Sequence, residues 1–154
     1  RRPCAQGRDR QDQLNQLTGG DSIMGKPAAK QGDHVLALDK HDVIGPGSPP
    51  PVIPQVPHPF DGLIDNQLSQ NVLIEGKPAA TVDSMATNTP PHIAQGVKFV
   101  KEPSNKATIA QGSVTVLING KGAARTGDPA RTCNDPVDQP VGKVQAVGTV
   151  LIGD

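Results

Sequence analysis

The stretch NVLIEGKPAATVD, Asn71–Asp83, has two near copies in the chain: MGKPAAKQGD at Met24–Asp33 and VLINGKGAARTGD at Val116–Asp128. Internal repetition of this kind decides an architecture before any local propensity does. Aligned on Gly25, Gly76 and Gly120, each copy opens G-K-[PG]-A-A and closes on Asp33, Asp83 or Asp128. The repeat kernels therefore run over 25–33, 76–83 and 120–128.

Each kernel follows one logic. A short β-branched run, NVLIEG in the second copy and SVTVLING in the third, reads as a strand. Glu75–Gly76 and Asn119–Gly120 then suit a tight turn, because glycine accepts positive φ without steric penalty. The Ala pair that follows is small enough to lie where backbones converge. The closing Asp reads as a turn residue bonding its own backbone. The first kernel lacks a preceding apolar run, and TVLIGD at Thr149–Asp154 supplies a matching one. The closing strand at 149–154 should therefore pair beside the first kernel and close a ring of three units. That yields pseudo-threefold symmetry within one chain and leaves no open edge ready to aggregate.

Composition narrows the class. The 154 residues include no Trp or Tyr, and only Phe60 and Phe99 as aromatics, against 17 Gly and 16 Pro. The core must be closed by Val, Ile, Leu and Ala, so short strands with many turns are expected, helped by a staple such as a metal. Fifteen basic and fifteen acidic residues leave zero net charge, and no basic patch or stacking platform points to nucleic acid. No apolar stretch approaches the roughly 20 residues that a spanning helix needs. The N-terminus lacks the apolar segment of a secretory signal, and with two distant cysteines, Cys4 and Cys133, the chain reads as made in the cytosol with free thiols. Residues 1–23 read as a polar N-terminal extension, disordered or partner-docking, ahead of a domain over 24–154.

The insertions between kernels are rich in turn formers. Gly45–Phe60 carries seven prolines. These argue against a helix or a central strand and for a stiff, ordered loop laid over the body. His41, His92 and Cys133 each follow a kernel at a similar offset, so the three should converge near the threefold axis. His58, held between two prolines, can supply a fourth ligand. Three imidazoles and a thiolate make a closed tetrahedral set suited to structural Zn²⁺. His34 is the spare. Catalysis has little support, since no G-x-S-x-G elbow or H-E-x-x-H segment occurs.

The three copies GKPAAKQGD, GKPAATVD and GKGAARTGD resemble the Pro-Ala-Ala-Arg motif of PAAR-repeat proteins, over essentially Met24–Asp154. The resemblance implies an all-β cone with zinc near its sharp end, held by three His and one Cys; residue by residue these are His41, His58, His92 and Cys133. It implies that the broad base caps a trimeric β-helical spike, a VgrG-like protein, one chain per trimer. It further implies a membrane-piercing tip of a type VI secretion system or related contractile, phage-tail-like machine. Such a tip assembles in the cytoplasm and leaves the cell on firing, piercing the target membrane rather than binding it. Lys30 and Thr81 replace the motif's Arg, and Gly122 its Pro, so these positions are expected to serve turns and packing. With no fused toxin after the last kernel, a cargo effector would ride on the N-terminal tail. The rival readings are a zinc-dependent hydrolase, should one ligand position be open to water, and a stand-alone zinc-stabilised binding module.

Overall fold

The computed structural model describes residues 25–153. The expected extension over 1–23, with Cys4, lies outside the described residues. All regular elements among the described residues are β.

Each kernel forms a two-residue ribbon. β4 (Leu73–Ile74) pairs with β5 (Lys77–Pro78), and β9 (Leu117–Ile118) pairs with β10 (Lys121–Gly122). Their turns place Glu75 and Gly76 at φ 52° and 81°, and Asn119 and Gly120 at 53° and 81°. Two successive positive φ values are the signature of the tight hairpin turn whose twist matches the strands. In the first unit β1 (Lys26–Pro27) pairs antiparallel with β13 (Leu151–Ile152), so the C-terminal strand completes the first repeat as expected. Register is conserved: Lys26, Lys77 and Lys121 face Ile152, Ile74 and Ile118.

The three ribbons join in a ring. Isolated bridges link Lys30 to Ala79, Thr81 to Ala123 and Arg125 to Ala28, each running from the sixth kernel position of one copy to the fourth of another. Inside that ring the second alanines hydrogen-bond in a cycle: Ala80 N–H to Ala29, Ala124 N–H to Ala80 and Ala29 N–H to Ala124, at 2.9–3.0 Å. Ala29, Ala80 and Ala124 are fully buried. A larger side chain at any of them would push the three backbones apart, which is why the repeated phrase is built around alanine.

The residue closing each kernel turn corrects the sequence alignment in one place. Asp33 and Asp128 accept from the backbone N–H of Lys30 and Arg125, at 3.1 and 2.7 Å. In the second copy the hydroxyl of Ser84 takes that role toward Thr81 N–H, at 2.9 Å. Asp83 instead occupies the left-handed position held by Gly32 and Gly127, with φ 76° against 89° and 86°. Aspartate is among the few side-chain-bearing residues that tolerate this region, so the sequence match at Asp83 was one residue early. The sixth kernel position changes in step. Lys30 and Arg125 form buried ion pairs with Asp33 and Asp128, while neutral Thr81 meets neutral Ser84.

After each kernel the chain makes a hairpin: β2 (His34–Ile44) with β3 (Val52–Asn66), β6 (Met85–Asn88) with β8 (Lys106–Ile109), and β11 (Pro129–Thr132) with β12 (Gln139–Gln145). β3 pairs with β6, β8 with β11 and β12 with β2, so the three hairpins close a six-stranded barrel. Segments that read as turn-rich loops are thus its walls. β7 (Lys98–Phe99) adds to the far end of β2. Small and branched residues fill the barrel by symmetry, with Val35, Ala86 and Ala130 in one layer and Ile64, Ile109 and Val144 in another, joined by Phe60.

The Pro-rich stretch is the main departure from expectation. From Val52 onward it is a 15-residue strand, not a loop. The physical reason lies in backbone parity. Asp61 donates its N–H to Asn88 Oδ1 and accepts from Thr89 N–H, so alternate residues from Asp61 back to Pro57 aim their backbone away from β2. β6 covers that edge only over Gly62–Asn66. Pro57 and Pro59 therefore lack an N–H where no strand would receive it. The first hairpin, with strands of 11 and 15 residues, outruns the four-residue β6, β8 and β11, so the molecule tapers from a three-ribbon base to one long hairpin.

Candidate metal centre

The taper gathers the chain's ligand residues. Along β2 the buried positions alternate, and Asp39, His41 and Val43 all face inward. On β3 the same period turns His58 and Phe60 inward. His92 arrives from the loop after β6 with its side chain 2 % exposed, its backbone N–H held by Asn105 Oδ1 at 2.8 Å. Cys133 follows β11, in a segment sealed onto β2 by Lys40 N–H to Asn134 Oδ1 and Asp42 N–H to Asp135 Oδ2, at 2.7 and 2.9 Å. Each hairpin thus delivers its group to one point on the axis.

The rings of His41, His58 and His92 lie with centroids 5.1–5.7 Å apart. Donor atoms of Asp39, His41, His92 and Cys133 all fall within 4.8 Å of one another. Three of the four residues expected as ligands belong to this group, and Asp39 completes it. His58 stands beside it, with Nδ1 2.8 Å from the Val56 carbonyl and Nε2 accepting the Gln95 N–H at 3.1 Å. His34, the spare, is exposed and pairs with Asp61 at 2.6 Å, away from the cluster.

Asp39 was missing from the sequence reading. Its signal was the alternation D-x-H within HVLALDKHDVI, which puts Asp39 and His41 on one face of a strand. Asp39 is fully buried and is a hub: Oδ1 accepts from the Thr132 hydroxyl and the Asn134 amide, while Oδ2 lies 2.9 Å from His92 Nε2 and 3.3 Å from Cys133 Sγ.

The electrostatics suit a cation. Burial pushes the Cys133 thiol up to about 12, and the neighbouring Asp39 charge adds to the rise. Burial also lowers His41, against the pull of Asp135, so its imidazole is neutral. Without a cation the pocket thus holds a thiol and a neutral ring beside buried carboxyl groups. His41 Nδ1 is buried without a hydrogen bond, 3.5 Å from Asp135 Oδ2. Its Nε2 lies 3.8 Å from Cys133 Sγ, close to the ~3.6 Å separating a nitrogen and a sulfur that share one tetrahedral zinc. Mixed N, S and O donors at this spacing fit Zn²⁺.

A family model described as PAAR motif matches residues 43–139, a span containing the second and third kernels, His58, His92 and Cys133. No curated protein matches the chain.

Proposed function

This chain belongs to the PAAR-motif family, and from that premise we propose that it caps a trimeric β-helical spike as the piercing tip of a contractile injection machine. The observation that carries the reading is the ring of three equivalent ribbons formed by one chain. A trimer ends in three identical faces, and a monomer fits them only by presenting one surface three times.

The ribbons supply such a surface. Leu73, Leu117 and Leu151 occupy the same register position and are 59 %, 60 % and 48 % exposed, while Ile74, Ile118 and Ile152 turn inward with Ala28, Ala79 and Ala123. Exposed apolar residues repeated in this way mark an interface better than scattered ones do. The narrow end is tied by zinc, with His41, His92 and Cys133 as ligands and His58 beside them as the residue the family resemblance adds. The ion would join three hairpins and so raise the free energy of opening the tip locally. The role is mechanical and not enzymatic. The cone assembles with its spike in the producing cell and leaves at the tip on firing, with residues 1–23 as the place for cargo.

The test is isothermal titration of the purified chain into a trimeric β-helical spike from a contractile machine, with a Leu73→Asp/Leu117→Asp/Leu151→Asp variant beside it. Saturable binding that the variant loses supports the proposal. Failure to bind such a spike, or binding that the variant retains, contradicts it.

A further inference from the structure

We infer that the outer wall of the first hairpin, with the groove beneath it, is a docking surface for one copy of a partner protein, bound through a segment whose apolar side chains are flanked by carboxylates. The wall is separate from the leucine face of the ribbons, so this site does not depend on what the base caps.

The wall stands out against its own symmetry mates. Counted from the residue that closes each kernel turn, Leu36 of β2 corresponds to Thr87 of β6 and Arg131 of β11. Within the hairpins His34 faces Leu63, Met85 faces Thr108 and Pro129 faces Lys143, so Leu63, Thr108 and Lys143 are equivalent too. Leu38 continues the outward row two residues beyond Leu36. Leu36, Leu38 and Leu63 are 38 %, 54 % and 41 % exposed. The other two units build the Leu36 and Leu63 positions from polar residues, so folding does not require leucine there. Adjacent apolar side chains confined to one side mark an interaction site.

The groove breaks the symmetry at the same place. Between the second and third units Lys121 pairs with Asp83 at 3.5 Å, and the hollow there, lined by Gln67, Ser69, Thr81 and Asn119, holds about 130 Å³. Between the first and second units the equivalent lysine is Lys77, and Gly32 stands where Asp83 does. Lys77 Nζ lies 3.9 Å from where a Cβ of Gly32 would be, and glycine offers no carboxylate. The hollow opens to about 650 Å³ and runs from Glu75 and Lys77 on the ribbon to His34, Leu36 and Asp61 on the wall.

Charge names the partner's polar groups. The carboxylates at the groove are engaged within the chain: Asp33 with Lys30 at 3.2 Å, Asp61 with His34 at 2.6 Å, and Glu75 with the N–H and hydroxyl of Thr149 at 2.6 and 3.1 Å. Three exposed lysines surround the leucines: Lys40 next along the outward row, Lys143 opposite Leu36, and Lys77 in the groove. None of these three forms an ion pair among the described residues. A partner segment gains by covering the leucines and setting carboxylates on the lysines, which fix its register. Leucine occupies the wall in one unit of three, so the chain takes one copy.

The test uses the full chain and a random peptide library displayed on phage, panned on the wild type and counter-selected on Leu36→Thr/Leu63→Thr. Those substitutions copy Thr87 and Thr108, so the variant should melt with the wild type. Lys77→Glu, at an exposed site, carries the test alone if it does not. Enriched peptides should combine apolar residues with Asp or Glu. In isothermal titration they should bind at one per chain, weaken with added salt, and lose about tenfold or more in affinity for either variant. Failure to enrich any peptide, enrichment of basic peptides, three bound per chain, or unchanged affinity for Lys77→Glu would overturn the proposal. Sedimentation showing that the wild type self-associates through the leucines would overturn it too, because the wall would then belong to a second copy.

Discussion

Ala80 donates its backbone N–H to the carbonyl of Ala29 at 3.0 Å, across the seam between two repeats separated by 51 positions in the chain (80 − 29). Ala124 completes the cycle with both of them, so the alanine phrase marks the symmetry axis itself. Its conformation and small size are what the rest of the cone is built on.

The axis should therefore tolerate no added volume. Ala80→Leu is expected to lower stability by about 1–3 kcal/mol or more, since the surrounding backbones cannot retreat without breaking the hydrogen-bonded triangle. Urea unfolding measures it. Leu73→Ala, at an exposed site of the same unit, is the control and should stay within about 0.5 kcal/mol. Equal effects at the two sites would contradict a close-packed axis.

The motif's arginine is a strut in this chain. Arg125→Ala leaves the Asp128 carboxylate buried without its guanidinium and should cost about 3–5 kcal/mol. The double change Arg125→Thr with Asp128→Ser rebuilds the arrangement that the second unit already uses at Thr81 and Ser84, and should recover most of that loss. A double variant no more stable than the single one would show that the two arrangements are not interchangeable.

Acid should loosen the metal-free tip. His41 sits below its ordinary value because burial disfavours the imidazolium. The unfolded chain therefore takes up its proton first as pH falls through about 6.5. Stability contributed by the neutral ring is fully present above that pH and declines below it, until the folded form protonates as well. Stability should therefore fall with falling pH in that window, with about 1.4 kcal/mol per pH unit as the ceiling for one proton, and this contribution should be lost in His41→Gln, as followed by chelator-treated thermal melts at several pH values. An unchanged slope in the variant would place the acid sensitivity elsewhere.

Zinc binding should carry the signature of the thiol, and it too weakens in acid. Cys133, raised to about 12, must lose its proton to bind. The apparent zinc affinity should fall about tenfold per unit drop in pH over the neutral range. Cys133→Ser should flatten that dependence and lower both zinc content and melting temperature. Zinc content unchanged in Cys133→Ser would remove the thiol from the site.

Much of this was legible in the residues. The repeated G-K-x-A-A phrase specified the ribbons, their ring and the C-terminal strand that completes the first unit, because each depends on local turn chemistry and strand register. The barrel was not legible. Its strands β6, β8 and β11 are four residues long, lack a strong apolar run and are held by partners far away in the sequence. Pro57 and Pro59 hid β3, since their meaning depends on which edge is left uncovered. His41, His92 and Cys133 could be grouped by their offset from each kernel. Asp39 could not, because nothing in a lone aspartate distinguishes a turn former from a buried hub until the strand's inward face is known.

The central claim is that one chain presents one surface three times to a trimer. Native mass spectrometry of the chain mixed in excess with a trimeric β-helical spike tests this most directly. The account predicts a complex of one chain per three spike subunits, with no species of higher occupancy at saturation. Three chains per trimer would contradict it, because each spike subunit would then be read separately and the pseudo-threefold ring would have no partner to match.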